Sequence, residues 1–238
     1  MEMSAVGQSH SMLDAQERVS GRIDYALNVE LPGMLVGRIL RSPLPHARIV
    51  ALDTTRADRL AGVGAVLSRD DFGLTSGYSG TYGRIFRDQS VVALDKVRFV
   101  GDPVAAVAAV NEDVAEEALA LIRLEYEELP AVFDEEEALK PGAPLVHDPR
   151  PPQQPAFSKL IQDLPPGTNV CSHFKLRRGD VESGFRESDF IFEDIFRSPA
   201  AQHVALEPHV TVAQFVEGKL TLWTSTQMPH AVRAQMAE

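Results

Sequence analysis

Near the end of the chain three hydrogen-bonding side chains stand together, Ser225, Thr226 and Gln227, just ahead of Pro229. The run before them, Leu220 to Thr224, alternates as a strand does; the run after them carries Val232 and Met236 as an i, i+4 apolar pair, the mark of a helix. A strand that ends on such residues and turns into a helix sets hydrogen-bond donors beside the positive end of a dipole. That place suits an oxyanion or a metal-oxo group. The same residues also read as a plain helix start, with Thr226 or Ser225 as cap, Pro229 in the first turn and Gln227 in water.

Four other groups of residues invite chemistry. His203, Glu207 and His209 have the spacing H-x-x-x-E-x-H, which on a helix would place His203 and Glu207 on one face as ligands of a metal hydrolase. Pro208 and the strand-like flanks oppose that helix. His46 follows a proline loop, where a histidine more often fixes a turn by bonding backbone than acts as base or ligand. The acidic run Asp134 to Glu137 reads as an N-cap with carboxylates in a first helical turn, on a solvated face. Cys171 is the single cysteine; it excludes an internal disulfide and a cysteine-held iron–sulfur cluster in this chain, and reads as a small half-buried side chain in a strand.

The elements that would position the Ser-Thr-Gln turn come just before it. Val210 to Val216 is strand-forming, Glu217-Gly218-Lys219 is a turn, and the two runs make a hairpin. Upstream, Met34 to Arg41, Ala47 to Leu52 and Gly62 to Ser68 read as strands, with Asp53 capping a short helix from Thr54 to Leu60 and Arg69 to Phe72 forming a helical turn. Gly73 to Gln89 reads as a surface loop. Val97 to Val100 and Val104 to Val110 read as strands around a Gly101-Asp102-Pro103 turn. Val104 to Val110 is apolar almost throughout, as expected of a strand covered on both faces. Asn111 then caps a helix whose inward stripe is Val114, Ala118 and Leu121, with Ala115, Leu119 and Ile122 beside it. Arg123 to Glu128 is the return strand. Proline is dense from 140 to 168, which marks a linker. Asn169 to Arg177 and Asp189 to Arg197 read as strands on either side of a short helix with Val181 and Phe185 inward.

Composition bounds the rest. With 238 residues, 44% hydrophobic and 24% charged, the chain is long enough for a large core and too apolar to be disordered in bulk. A net charge of -11 repels nucleic acid and anionic membranes. The longest apolar run, Pro103 to Val110, is far short of a bilayer span, and the acidic beginning of the chain lacks an export signal's apolar core. A cytoplasmic protein is expected, although delivery to the periplasm by a partner subunit would leave the same sequence.

Several of these segments together resemble one family. Glu207-Pro208-His209, the hairpin and Ser225-Thr226-Gln227-Met228-Pro229-His230 are similar to the molybdenum-binding large subunit of the xanthine dehydrogenase, aldehyde oxidase and carbon monoxide dehydrogenase family. So are RSPLPHARIV at 41–50, Val100 to Val110 with the 123–130 run, and Gly179-Asp180-Val181 followed by Phe185 and Phe190. Asn28 and Met12 depart from the family's usual Asp and Arg. The resemblance implies an α+β chain: an N-terminal arm at 1–18, an a/b hammerhead domain at 19–140, a proline-rich linker at 141–168, and at 169–238 the first strands and helix of a mixed α/β molybdopterin-binding domain. It implies that Gln227 donates its amide to an oxo ligand of the molybdenum cofactor, with Glu207 and His209 as supporting groups. An amide is a neutral donor, able to hold an oxo group without protonating it. No catalytic residue and no direct metal ligand is expected within these residues. The base is expected on a C-terminal molybdopterin-binding polypeptide, [2Fe-2S] clusters on an iron–sulfur subunit, and FAD on a further subunit. The activity implied is hydroxylation of an aldehyde or N-heterocycle with water as oxygen source, by the assembly and not by this chain alone. The readings from other classes are a non-catalytic assembly module and the His203/Glu207/His209 hydrolase.

Overall fold

The computed structural model describes residues 6–73, 80–83, 86–147 and 164–237. In chain order the elements are α1 (Ala15–Val19), β1 (Val36–Arg41), β2 (Ala47–Asp53), α2 (Thr55–Asp58), β3 (Val63–Leu67), β4 (Thr81–Tyr82), β5 (Gln89–Ser90), β6 (Lys96–Val97), β7 (Pro103–Ala109), α3 (Glu112–Leu121), β8 (Arg123–Glu128), α4 (Glu135–Ala138), α5 (Val181–Glu187), β9 (Thr211–Val216), β10 (Lys219–Thr224) and α6 (Pro229–Met236). They fall into two compact units, one of residues 33–191 and one of residues 1–32 with 192–238. No described helix is long and apolar enough to cross a membrane.

The larger unit is built on β7. This strand lies between β1 and β3, antiparallel to both. Its consecutive residues serve different cores: Val104 joins Ala47, Ile49, Ala93 and Val97, while Ala105, Val107 and Ala109 join Ala57, Ala115, Ala118 and Ile122. The near-continuous apolar run is thus buried on both faces, as its composition requires. Helix α3 packs on β7 and β1 through Ala115 and Ala118, both fully buried, opposite the fully buried Ala105 and Ala109. Alanine on both sides lets helix and sheet approach closely at little cost in side-chain entropy. Asn111 starts the helix by accepting the Val114 N–H on Oδ1 at 2.9 Å, and Glu112 and Asp113 occupy its first turn. The stripe Val114, Ala118, Leu121 with Ala115, Leu119 and Ile122 does face the core.

A second sheet has the order β6-β2-β8. Its register slips between Ile49 and Ala51, so that Ile49 faces Tyr126 and Ala51 faces Glu125. The extra residue, Val50, reverses the alternation. Ala47 and Ile49 point into the core before the slip, and Leu52, not Ala51, points inward after it. Strict period-two alternation would set Ile49 and Ala51 on one face. The helical turn after Asp53 is shorter than expected and starts from Thr54, while Asp53 Oδ1 accepts the Thr55 N–H at 3.0 Å.

Other differences lie in short pairings and in the second half. Thr81–Tyr82 and Gln89–Ser90 form a small antiparallel ladder where a loop without pairing was expected, and the strand expected at Val97 to Val100 shortens to β6. The arm at 1–18 contains the start of α1, fixed by Arg18 Nε donating to Asp14 Oδ2 at 2.7 Å. Residues 169–177 and 189–197 lie outside any helix or strand, although their composition favours one. Between them α5 forms as expected, with Asp180 Oδ1 accepting the Ser183 N–H at 3.0 Å. Its expected inward pair is not buried: Val181 is 64% and Phe185 52% exposed. Ladder hydrogen bonds and a covering layer are what turn a β-prone run into a buried strand; among the described residues no strand ladder includes these segments, and beyond Val170 their side chains are exposed. Of the expected linker, residues 148–163 lie outside the described part.

Two side chains secure the segment after α4. Asn169 accepts the Val146 N–H at 3.0 Å and donates to the carbonyls of Ala138 at 3.1 Å and Pro144 at 2.9 Å. Arg98 donates to the carbonyl of Val146 through Nε at 3.2 Å and to that of Lys96 through Nη1 at 3.1 Å.

Candidate functional site

The smaller unit carries the Ser-Thr-Gln turn. Strands β9 and β10 pair antiparallel from Val216↔Lys219 to Thr211↔Thr224. Glu217 and Gly218 connect them with φ of 49° and 77°, both left-handed, as a two-residue turn that follows the twist of its strands requires. Glycine takes that conformation freely and glutamate does not. At the far end of the hairpin the Thr211 and Thr224 hydroxyls lie 2.7 Å apart, one donating to the other. The chain then leaves the sheet at Ser225.

Each polar residue of the turn is used differently. Ser225 Oγ donates to Glu207 Oε1 at 2.7 Å, tying the loop before β9 to the end of β10. Thr226 Oγ1 accepts the Met228 N–H at 3.0 Å. Helix α6 then begins at Met228 with Pro229 in its first turn, so Thr226 shapes the approach to the helix without being its cap. Gln227 is left. It is exposed, and its carboxamide has no hydrogen-bond partner among the described residues. The turn therefore presents one neutral two-hydrogen donor next to a helix N-terminus, with its neighbours' hydroxyls already engaged.

Beneath the turn, α6 lies over one face of β10. A groove of about 420 Å³ runs between them, lined by Leu220, Leu222, Thr224 and Thr226 from the strand side and by Val232, Arg233 and Met236 from the helix. The pair Val232 and Met236 faces this groove without closing it: Val232 is half-buried and Met236 is exposed. Of the hairpin's other face, Val212 is buried and its cross-strand partner Trp223 half-buried.

The supporting residues divide. Glu207 reaches the turn through Ser225, whereas His209 and His203 are exposed and have no hydrogen bond among the described residues. No helix spans 203–209, and the described residues contain no group of three metal-ligating side chains. The hydrolase reading is corrected accordingly: Pro208 and the left-handed Val204, with φ of 42°, break the helix on which its ligand geometry depends.

The remaining candidates are structural. His46 Nδ1 lies 2.6 Å from the Pro130 carbonyl. A carbonyl only accepts, so the proton is on Nδ1 and the ring fastens the proline loop to the end of β8. Asp134 Oδ1 accepts the Glu137 N–H at 2.8 Å, and Glu137 pairs with Lys140 at 2.5 Å, a helix cap and an exposed ion pair. Cys171 is exposed and outside any strand, not half-buried within one. It shares a cavity of about 260 Å³ with His147, Asp88 and Asn169. Burial holds His147 below the ordinary imidazole range, with the Arg98 charge acting in the same direction. Asp102, in the turn before β7, is buried and shifted the other way. Desolvation pushes its carboxyl up, and the Arg98 N–H that it accepts at 2.9 Å only partly offsets this.

Two stretches of the chain match known families. Residues 20–130 match the family profile described as aldehyde oxidase and xanthine dehydrogenase, a/b hammerhead domain, and residues 163–238 match the molybdopterin cofactor-binding domain. The chain belongs to the aldehyde oxidase and xanthine dehydrogenase family. Relatives within it include a subunit of a probable xanthine dehydrogenase from Bacillus subtilis, 36% identical over 94% of this chain and 27% of its own length. The nicotinate dehydrogenase large molybdopterin subunit of Eubacterium barkeri is 34% identical over 99% of this chain and 51% of its own. The crystal structure of quinoline 2-oxidoreductase from Pseudomonas putida 86 superposes with a TM-score of 0.77 at 31% identity, over 97% of this chain and 28% of that one. The chain thus spans between about a quarter and a half of the family members it matches. The α+β character expected from sequence is the one observed.

The Ser225–Glu207 bond and the groove under α6 had no sequence signal. Residues 18 apart meet only because the hairpin folds back, and a groove is a property of two packed elements.

Proposed function

We propose that this chain forms part of the large subunit of a molybdopterin-dependent oxidoreductase, and that Gln227 is its contribution to the metal centre. The observation that carries the reading is the state of the turn: Ser225 and Thr226 are engaged within the chain, and the Gln227 carboxamide is exposed and has no partner among the described residues. A neutral amide fits an oxo ligand better than a charged donor does, because it stabilises partial negative charge without offering a transferable proton. Within the family the cofactor, when bound, supplies the two-electron oxidation that hydroxylates an aldehyde or N-heterocycle with oxygen from water. This chain's residues orient and hold. Gln227 donates; Glu207, through Ser225, fixes the strand end from which Gln227 projects; His209 borders the same loop. A C-terminal molybdopterin-binding polypeptide supplies the base, and an iron–sulfur subunit and an FAD subunit carry electrons away. The compartment proposed is the cytoplasm.

The test is Gln227→Ala in the assembled enzyme. Loss of one preorganised donor to developing negative charge lowers kcat by about 10²–10³-fold, with molybdenum content unchanged and the molybdenum electron paramagnetic resonance signal shifted. Parental turnover and an unaltered signal in Gln227→Ala would remove Gln227 from the site.

A further inference from the structure

Where β10 gives way to α6, three consecutive residues are each fastened by a hydroxyl. The Thr224 and Thr211 hydroxyls lie 2.7 Å apart across the hairpin, Ser225 Oγ donates to Glu207 Oε1 at 2.7 Å, and Thr226 Oγ1 accepts the Met228 N–H at 3.0 Å. Met228 is fastened in turn to the helix, because its carbonyl accepts the N–H groups of Ala231 at 3.0 Å and Val232 at 3.1 Å. All three hydroxyl bonds are exposed. Water replaces an exposed hydrogen bond at small cost, so three in a row add less to the stability of the turn than to the accuracy of its placement. The Thr226 bond differs from the other two in what it encloses. It closes a ring through the Thr226 side chain and the backbone of Gln227, and both soft rotations of that backbone, φ and ψ, lie inside the ring. Those two angles set the direction in which the Gln227 side chain leaves the chain. The bond is not a cap on the helix: Met228 is itself the N-cap, with φ of -129° and ψ of 60°, and no side chain caps the first turn. Pro229 already restricts the backbone of Met228 before it. Without Thr226, Gln227 would be the soft joint between strand and helix.

We propose that Thr226 is a positioning residue: by holding the Met228 N–H it fixes the backbone of Gln227 and so aims the Gln227 carboxamide at the group it serves. A donor helps only when it is already in place as charge develops, since turning it into place during the reaction forfeits part of its effect. Threonine suits the task. Its β-branched side chain is stiff at χ1, which keeps Oγ1 where the Met228 N–H meets it. Ser225, held by Glu207, fixes the strand end before Gln227; Thr226 fixes the one residue between that strand end and the helix. The proposal rests on the reading of Gln227 given above and adds to it the residue that holds Gln227 in place.

Two substitutions in the assembled enzyme test it. Thr226→Val keeps the branched shape and removes the acceptor, whereas Thr226→Ser keeps the acceptor. Hydrogen exchange at the Met228 amide rises by about 2–10-fold in Thr226→Val, the effect of one lost hydrogen bond, and stays within about 2-fold of the parent in Thr226→Ser. In the same preparations kcat falls by about 3–10-fold in Thr226→Val with KM and molybdenum content unchanged, and Thr226→Ser recovers most of it. Added to Gln227→Ala, Thr226→Val lowers kcat no further, because a positioning residue has nothing left to position. An equal fall in the Gln227→Ala background overturns the proposal, since Thr226 would then act independently of Gln227. Unchanged exchange at Met228 in Thr226→Val overturns it as well, as does a serine variant as impaired as the valine one. The two readings fail differently. Loss of turnover in Gln227→Ala with none in Thr226→Val overturns the positioning role and leaves Gln227 at the site; parental turnover in Gln227→Ala overturns both.

Discussion

Asn169 makes the bracket that holds the chain after α4, and its removal has a cost that can be worked from the geometry. The side chain has three hydrogen bonds, of 3.0, 3.1 and 2.9 Å, to backbone groups of residues 146, 138 and 144, all part-buried. Each contributes about 0.5–1.5 kcal/mol net, and the three backbone groups left behind in Asn169→Ala are only partly recovered by water. The expected loss is about 2–3 kcal/mol. Asn169→Asp keeps the bond from the Val146 N–H but loses both donations and sets a carboxylate against two carbonyl oxygens, so it costs at least as much. With a urea m-value of about 1–3 kcal/mol/M, the midpoint followed by far-UV circular dichroism falls by about 1 M in Asn169→Ala. Hydrogen exchange at the Val146 amide rises in parallel. A change below about 0.5 kcal/mol, or an aspartate variant more stable than the alanine one, would refute the bracket.

Two further outcomes follow from local geometry. The folded state binds a proton at Asp102 more tightly than the unfolded chain does, because burial raises its carboxyl pKa. Its contribution is therefore fully present below the ordinary aspartate range and is lost as pH rises through the raised value. Asp102→Asn, whose amide oxygen still accepts the Arg98 N–H, should flatten that part of the stability–pH curve; an unchanged slope in urea titrations at several pH values would count against the buried carboxyl. Glu217 holds φ of 49° in the hairpin turn, so Glu217→Gly should stabilise the hairpin by up to about 1 kcal/mol, read from the emission of Trp223. A loss of stability there would show that the Glu217 side chain matters more than its backbone strain.

How far the sequence could be read depended on where each element finds its partners. The β7–α3–β8 succession was legible because its signals are local: an apolar run, the Asn111 cap and an alanine stripe lie within a single stretch of chain. The same is true of the Ser-Thr-Gln turn, announced by Gly218 before it and Pro229 after it. Val50 was not legible, since a bulge is settled by cross-strand register. Val181, Phe185 and the run 189–196 have patterns that state burial correctly as a tendency, but side chains are buried by what packs on them, and the described residues leave these more than half exposed. At the site, Gln227 stood out by residue type; that Glu207 is held by Ser225 while His209 is not required the folded hairpin.

Leu52 packs with both apolar clusters of the larger unit, a position it owes to the slip at Val50. One leucine shared by two cores makes them thermodynamically a single body. Loosening either one withdraws contacts from the other, so this unit should melt in one cooperative transition, where two separately closed cores would give two.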